Sequence, residues 1–169
     1  MRTVLDRLYD VAAWIAAAFM IALLVMVLLS ILGRQFGFHV RGTDAYAGYM
    51  MAGAGFFALA HTLKRGEHIR VTLLLQALAP AARRRLELFA LATAVLLSLL
   101  LAGFSARLCW QSWQFNDIST GSDATPLWVP QIAMAVGTIV LCVAFVDELV
   151  AEWRGTRGTG SSEEALHNE

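Results

Sequence analysis

The sequence predicts an all-α integral membrane protein with four transmembrane helices. Three observations lead there. Of 169 residues, 58% are hydrophobic and only 15% charged, where a soluble domain carries about 45–50% apolar and about 25% charged residues. The apolar residues fall into four blocks, each about as long as a bilayer is thick. The five tryptophans lie near the ends of these blocks rather than in their middles, as interfacial anchors do.

The first block, 11–32, carries no charge. As a helix it covers about 33 Å, enough for a hydrocarbon core of about 30 Å. A cleaved leader would have a shorter apolar region, of about 7–15 residues, before a small-residue cleavage site. This block runs instead into Gly33-Arg34-Gln35 and is expected to be a retained span. The second block is 45–63. The third, 86–108, has Glu87 and Arg107 near its ends, and the fourth, 127–150, is uncharged until Asp147 and Glu148. Charges thus gather where water or headgroups can solvate them. Residues 1–153 are expected to form one four-helix domain. The tail over 154–169 is rich in Gly, Ser and charge and is expected to be disordered.

Orientation follows from the basic residues. Arg2, Arg7, Lys64, Arg65, Arg70, Arg83, Arg84, Arg85, Arg154 and Arg157 share one side of a four-span chain, and Arg34, Arg41 and Arg107 the other. Ten against three places both termini in the cytoplasm. Trp14 and Trp153 mark that side, and Trp110, Trp113 and Trp128 the opposite one. Between the second and third spans, Val71, Leu74, Leu75 and Leu78 fit one helical face, so 69–78 reads as a short amphipathic helix at the cytoplasmic interface. Pro80 suits the first turn of the next helix. Lys64, Arg65, Arg70 and Arg83 to Arg85 form a basic belt for phospholipid headgroups.

Formal net charge is zero, so nothing points to nucleic acid. Cys109 and Cys142 would differ in depth by roughly 20 Å, which rules out a disulfide and leaves them as small packing residues. No metal-ligand spacing, nucleotide loop or nucleophile constellation occurs, so no enzyme is expected, and no cofactor in this chain. Spans one, three and four have no ionisable residue in their middle, as an autonomous solute carrier would need. A small multidrug-type exporter would place an acid inside a span, and Asp44 lies at an end. His61 raises the alternative of a haem-bearing membrane anchor of a respiratory enzyme, but no facing span supplies a second histidine. A generic four-span assembly factor is a further alternative.

Small residues mark helix contacts. Gly48, Ala52 and Gly55 follow one face of span two, and Ala54 and Ala58 another. Such faces let helices approach closely in lipid, either within the subunit or against a second membrane protein. Ala133 and Gly137 make a similar seam in span four. The connection from Trp110 to Trp128 carries Asp117 and Asp123, and is either a solvated loop or a surface for a soluble protein.

Arg34 after span one, Asp44 and Gly48 at the start of span two, and Gly66-Glu67-His68-Ile69-Arg70-Val71 at its exit fall in a distinctive order. Pro126-Leu127-Trp128 then leads into span four, which contains Gly137. With these features over about residues 10 to 150, the chain resembles the small, DctQ-like membrane subunit of tripartite ATP-independent periplasmic (TRAP) transporters. The family often has Glu or paired acids where this chain has Asp44-Ala45, and Asp where it has Thr72. The resemblance implies a non-catalytic subunit of the bacterial inner membrane. It would pack against a large transport subunit that holds the substrate and sodium sites. It would help dock a periplasmic substrate-binding protein during ion-gradient-driven uptake of an organic acid. Arg34 and Asp44 are expected to pair across their short connection. Asp147 and Glu148 are expected to face Arg83 to Arg85.

Overall fold

The computed structural model describes residues 2–38, 40–65, 80–121 and 123–155. The expected amphipathic helix over 69–78, with His68, Ile69, Arg70 and Val71, lies outside the described residues, as does the tail from 156.

Among the described residues there are four helices: α1 (Arg2–Phe36), α2 (Thr43–Lys64), α3 (Pro80–Gln114) and α4 (Trp128–Trp153). Their ends follow local chemistry. α1 stops at Gly37, whose φ of 71° is the left-handed conformation that closes a helix. α3 opens on Pro80, whose missing N–H costs nothing in a first turn, and ends where Asn116 turns left-handed. α4 gives way to Gly155, also left-handed.

The helices outrun the expected spans. α1 and α3 each have 35 residues, or about 52 Å, so both extend past an apolar core of about 30 Å. Arg2, Asp6, Arg7 and Asp10 are therefore on α1 rather than ahead of it. Trp110 and Trp113 belong to the last turns of α3, not to a loop, because nothing in LCWQSWQ breaks a helix before Asn116. The connecting loop shortens to 115–127.

Among the described residues, three helices are long and apolar enough to cross a membrane: α1, α3 and α4. α2 covers the expected second block but is less apolar, diluted by Tyr46, Tyr49, His61 and three glycines. α2 packs against α1 on one side and α4 on the other, and α3 packs against α4. The result is two antiparallel hairpins joined through the parallel pair α2 and α4. One end carries the connections 37–42 and 115–127. The other carries the N-terminus, the close of α2, the start of α3 and the close of α4.

The core lies toward the second of these ends. Tyr9, Ala12 and Ala16 of α1 meet Phe57, Ala60 and Leu63 of α2 and Val140, Leu141 and Ala144 of α4. Small residues set the spacing. A Cβ on Gly53 would lie 3.0 Å from the Phe19 ring, which stacks 6.0 Å from Phe57. On Gly137 it would lie 2.7 Å from Phe56 Cβ and 2.8 Å from its backbone carbon, so α4 touches the main chain of α2. α3 joins by a separate seam. Ser98, Ala102, Ser105 and Ser112 are buried and Cys109 is half-buried, at alternating steps of four and three, a heptad-like stripe. Cys109 donates to the Trp128 carbonyl at 3.6 Å. Both cysteines are free.

Candidate functional site

Three groups of side chains stand out, one at each end of the bundle and one along α2. At the end with the two connections, the 115–127 loop folds back on itself. Ser119 N–H donates to the Thr125 carbonyl at 2.8 Å, Leu127 N–H donates to the Asp117 carbonyl at 2.9 Å, and Ile118 bridges to Pro126. Asp123 fastens this unit to α2. Its carboxylate accepts from the Tyr49 hydroxyl at 3.0 Å and from the Ser119 hydroxyl at 2.8 Å. The Thr125 hydroxyl bonds the Tyr46 hydroxyl at 3.2 Å. Gly42 completes the fit: a Cβ there would lie 2.8 Å from Asp123 Cβ, and its φ of 79° already favours glycine. Asp123 is thus occupied in holding the loop, while Asp117 is exposed. Tyr46 and Tyr49 carry no signal in sequence beyond their spacing, since their loop partners lie more than seventy positions away.

The hydrogen bonds hold the Asp123 carboxyl down to about 2, the Thr125 hydroxyl contributing most and Ser119 and Tyr49 adding to it against partial burial. A folded-state value below the unfolded value of 3.8 stabilises the clasp fully above about pH 4. That contribution is lost as pH falls through about 2. Asp123→Asn is therefore expected to loosen the loop at neutral pH. Hydrogen exchange at Ser119 N–H should quicken in the variant, and the wild type should keep its protection at pH 3.

Beside the clasp, Arg34 and Asp44 face each other at 3.9 Å with side chains 78% and 83% exposed. Ser30 donates to Asp44 at 3.4 Å. Pairs so exposed contribute about 0–1 kcal/mol. Reversing either charge alone is expected to cost no more than that, and exchanging both to restore the melting temperature. An unrestored loss in the double variant would show that the pair does not act as one.

The opposite end is built around Lys64. Its ammonium lies 3.2 Å from Asp147 of α4 and 3.7 Å from Asp6 of α1, and 5.6 Å from the centre of the buried Tyr9 ring. One α2 side chain so ties three helices. His61 stands 3.9 Å from Asp10. The expected approach of Asp147 to the arginines at the start of α3 is replaced by this pairing, because α2 and α4 run parallel and end together. Arg83 pairs with Glu87 at 3.1 Å instead, and Arg84 donates to the Trp153 carbonyl at 3.1 Å. Asp6, Tyr9 and Asp10 went unnoticed in the sequence because they precede the uncharged stretch; their spacing of three and four on a continuous helix was the available signal.

Along α2, the two small-residue faces have different surroundings. Ala54 is buried and Ala58 packs at the core. Gly48, Ala52 and Gly55 are exposed, next to an exposed Met51, and nothing comes within 4 Å of a Cβ on Gly48 or Gly55. Ala133 packs against the core and Gly137 is buried against Phe56. Trp14, Trp110, Trp113 and Trp153 are exposed, and Trp128 is half-buried at the head of α4.

Three membrane-grade helices around a small internal core define an integral membrane protein. A family model described as tripartite ATP-independent periplasmic transporters, DctQ component, matches residues 23–155. The chain belongs to that family. It is a transporter component and not an enzyme. No curated protein matches it.

Proposed function

We propose that the chain is the small scaffold subunit of its TRAP transporter, crossing the bacterial inner membrane four times with both termini in the cytoplasm. In this reading α2 is the fourth crossing element, shielded from lipid by α1, α4 and a partner. The observation that carries the proposal is the uncovered face of Gly48, Ala52 and Gly55 on the helix that otherwise builds the core. Small side chains let a second helix come close in lipid, where dispersion and weak Cα–H bonds drive association. The large transport subunit is the proposed occupant, with the substrate and sodium sites on it. This subunit enlarges the stationary part of the assembly. The clasped 115–127 loop, with Asp117 exposed, offers a rigid surface to the substrate-binding protein that delivers an organic acid. The ten-to-three basic asymmetry supports the orientation.

Gentle solubilisation of the chain, tagged at its C-terminus and expressed with its genomic neighbours, tests this. The expected result is a stoichiometric complex with a large polytopic membrane protein. Recovery alone, or with a redox enzyme, would contradict it.

A further inference from the structure

Between the end of α1 and the start of α2 lies a cavity of about 270 Å³. The sharp connection 37–42 shapes it. Phe38 folds back onto Gly33, where a Cβ would lie 2.7 Å from the Phe38 carbonyl oxygen. Gly37 and Gly42 turn left-handed on either side of that fold. Leu29, Gly33, Phe38 and Val40 give the cavity apolar walls, and Arg34 and Asp44 give it one charge of each sign.

These two charges do not use each other up. Their closest atoms are 3.9 Å apart, beyond hydrogen-bond length. Among the described residues Arg34 has no other partner. The one hydrogen bond to Asp44 is the long one from Ser30, at 3.4 Å. Guanidinium donors and carboxylate lone pairs therefore both remain available. Their depth is informative. The uncharged block 11–32 is centred near Ile21, and Arg34 lies about twelve residues beyond, or roughly 18 Å. Half of a hydrocarbon core is about 15 Å. The two charges so stand at the headgroup level, and the Leu29 wall reaches down toward the acyl chains.

A ligand that fits must bring an anion for Arg34, a cation for Asp44 close beside it, and an apolar part for the walls. A purely anionic headgroup gains at Arg34 and is repelled by Asp44 from nearly the same distance. A zwitterion gains at both. Among zwitterionic headgroups, a primary ammonium donates charge-assisted hydrogen bonds to a carboxylate, and a quaternary ammonium has no N–H to donate.

We infer that the α1/α2 cavity is a site for one zwitterionic glycerophospholipid with a primary amine, a phosphatidylethanolamine. Arg34 holds the phosphate and Asp44 accepts from the ammonium. The glycerol end lies against Phe38 and Val40, and an acyl chain runs down past Leu29. The site requires that α1 cross the membrane, as its length and apolarity allow, and it does not depend on which protein covers α2.

The full chain in detergent micelles provides the test. It is titrated with phosphatidylethanolamine, phosphatidylcholine or phosphatidylglycerol of identical acyl chains, and bound lipid is counted by native mass spectrometry. The expected result is one saturable phosphatidylethanolamine, half-bound at about ten-fold lower concentration than phosphatidylcholine, the worth of one charge-assisted hydrogen bond at an exposed site. Phosphatidylglycerol should bind no better than phosphatidylcholine. Asp44→Ala should erase the preference for phosphatidylethanolamine over phosphatidylcholine and strengthen phosphatidylglycerol. Arg34→Gln should weaken phosphatidylethanolamine and phosphatidylcholine alike. Both side chains are exposed, so neither variant threatens the fold. Glycerophosphoethanolamine, which has the headgroup without the chains, should not displace the lipid even in large excess. Equal binding of the three lipids, tightest binding of phosphatidylglycerol, a preference that survives Asp44→Ala, or displacement by the soluble headgroup would each overturn the site.

Discussion

Placing leucine at Gly137 is expected to separate α4 from α2 and to be among the most damaging single changes in the chain. The first atom of any side chain there meets Phe56 Cβ at 2.7 Å, its carbonyl carbon at 2.8 Å and its carbonyl oxygen at 2.9 Å. Two of these three atoms are main chain, so no rotamer change relieves the clash. The helices must part, and the α1/α2/α4 core opens with them. Overpacking of this kind costs about 1–3 kcal/mol even where the surroundings can adjust, so the melting temperature in detergent should fall by several degrees. Gly137→Ala should show a milder loss, because it brings only the Cβ. Trimming the neighbour in Gly137→Ala/Phe56→Ala should not rescue it, since the backbone contact stays. An unchanged melting temperature, or rescue by Phe56→Ala, would mean the two helices do not meet main chain to side chain at this point.

Removing the Lys64 ammonium is the second large expected effect. Lys64→Met keeps much of the apolar stem over Tyr9 and leaves Asp147 without its partner at 3.2 Å. Asp147 is only 22% exposed, so its charge loses a close counterion with little water in exchange. Breaking a fully buried pair costs about 3–5 kcal/mol. Exposure of Lys64 and Asp6 at the same cluster reduces this, and about 1–2 kcal/mol is expected. Lys64→Met/Asp147→Leu should recover most of the loss, because no uncompensated charge then remains on α4. Thermal unfolding of the two variants checks this. A double variant as weak as the single one would assign the damage to lost packing rather than to the stranded carboxylate.

These two positions also show what the sequence could and could not reveal. Four long apolar blocks announce helices, because backbone groups in lipid must be satisfied within the segment. The small-xxx-small step from Ala133 to Gly137 was visible, but its partner Phe56 lies eighty-one positions earlier and leaves no trace in local pattern. Which helices neighbour each other was hidden for the same reason. Lipid-facing and protein-facing residues are both apolar, so amphipathicity does not sort the faces. The charges suffered the opposite problem. Lys64 was legible as a basic residue at a span exit, and its role as a three-helix tie depends on α2 and α4 being parallel. The heptad of Ser98, Ser105 and Ser112 could have been found, since three small polar residues at steps of seven in an apolar helix mark a buried stripe. The loop clasp could not, because Asp123 and Thr125 bond tyrosines on a helix far away in sequence.

The direction of the exposed small-residue face on α2 is the feature on which the scaffold assignment rests, and a cysteine cross-link reads it most directly. With Cys109 and Cys142 replaced by serine, a single cysteine is placed at Ala52 or Gly55, and at the buried Ala60 as a control. Each variant is expressed with its genomic neighbours in native membranes and treated with a short photoreactive thiol cross-linker. The scaffold assignment predicts one heavy adduct with a large polytopic membrane protein from positions 52 and 55 and none from position 60. Adducts only to lipid, or only to a second copy of this chain, would contradict it.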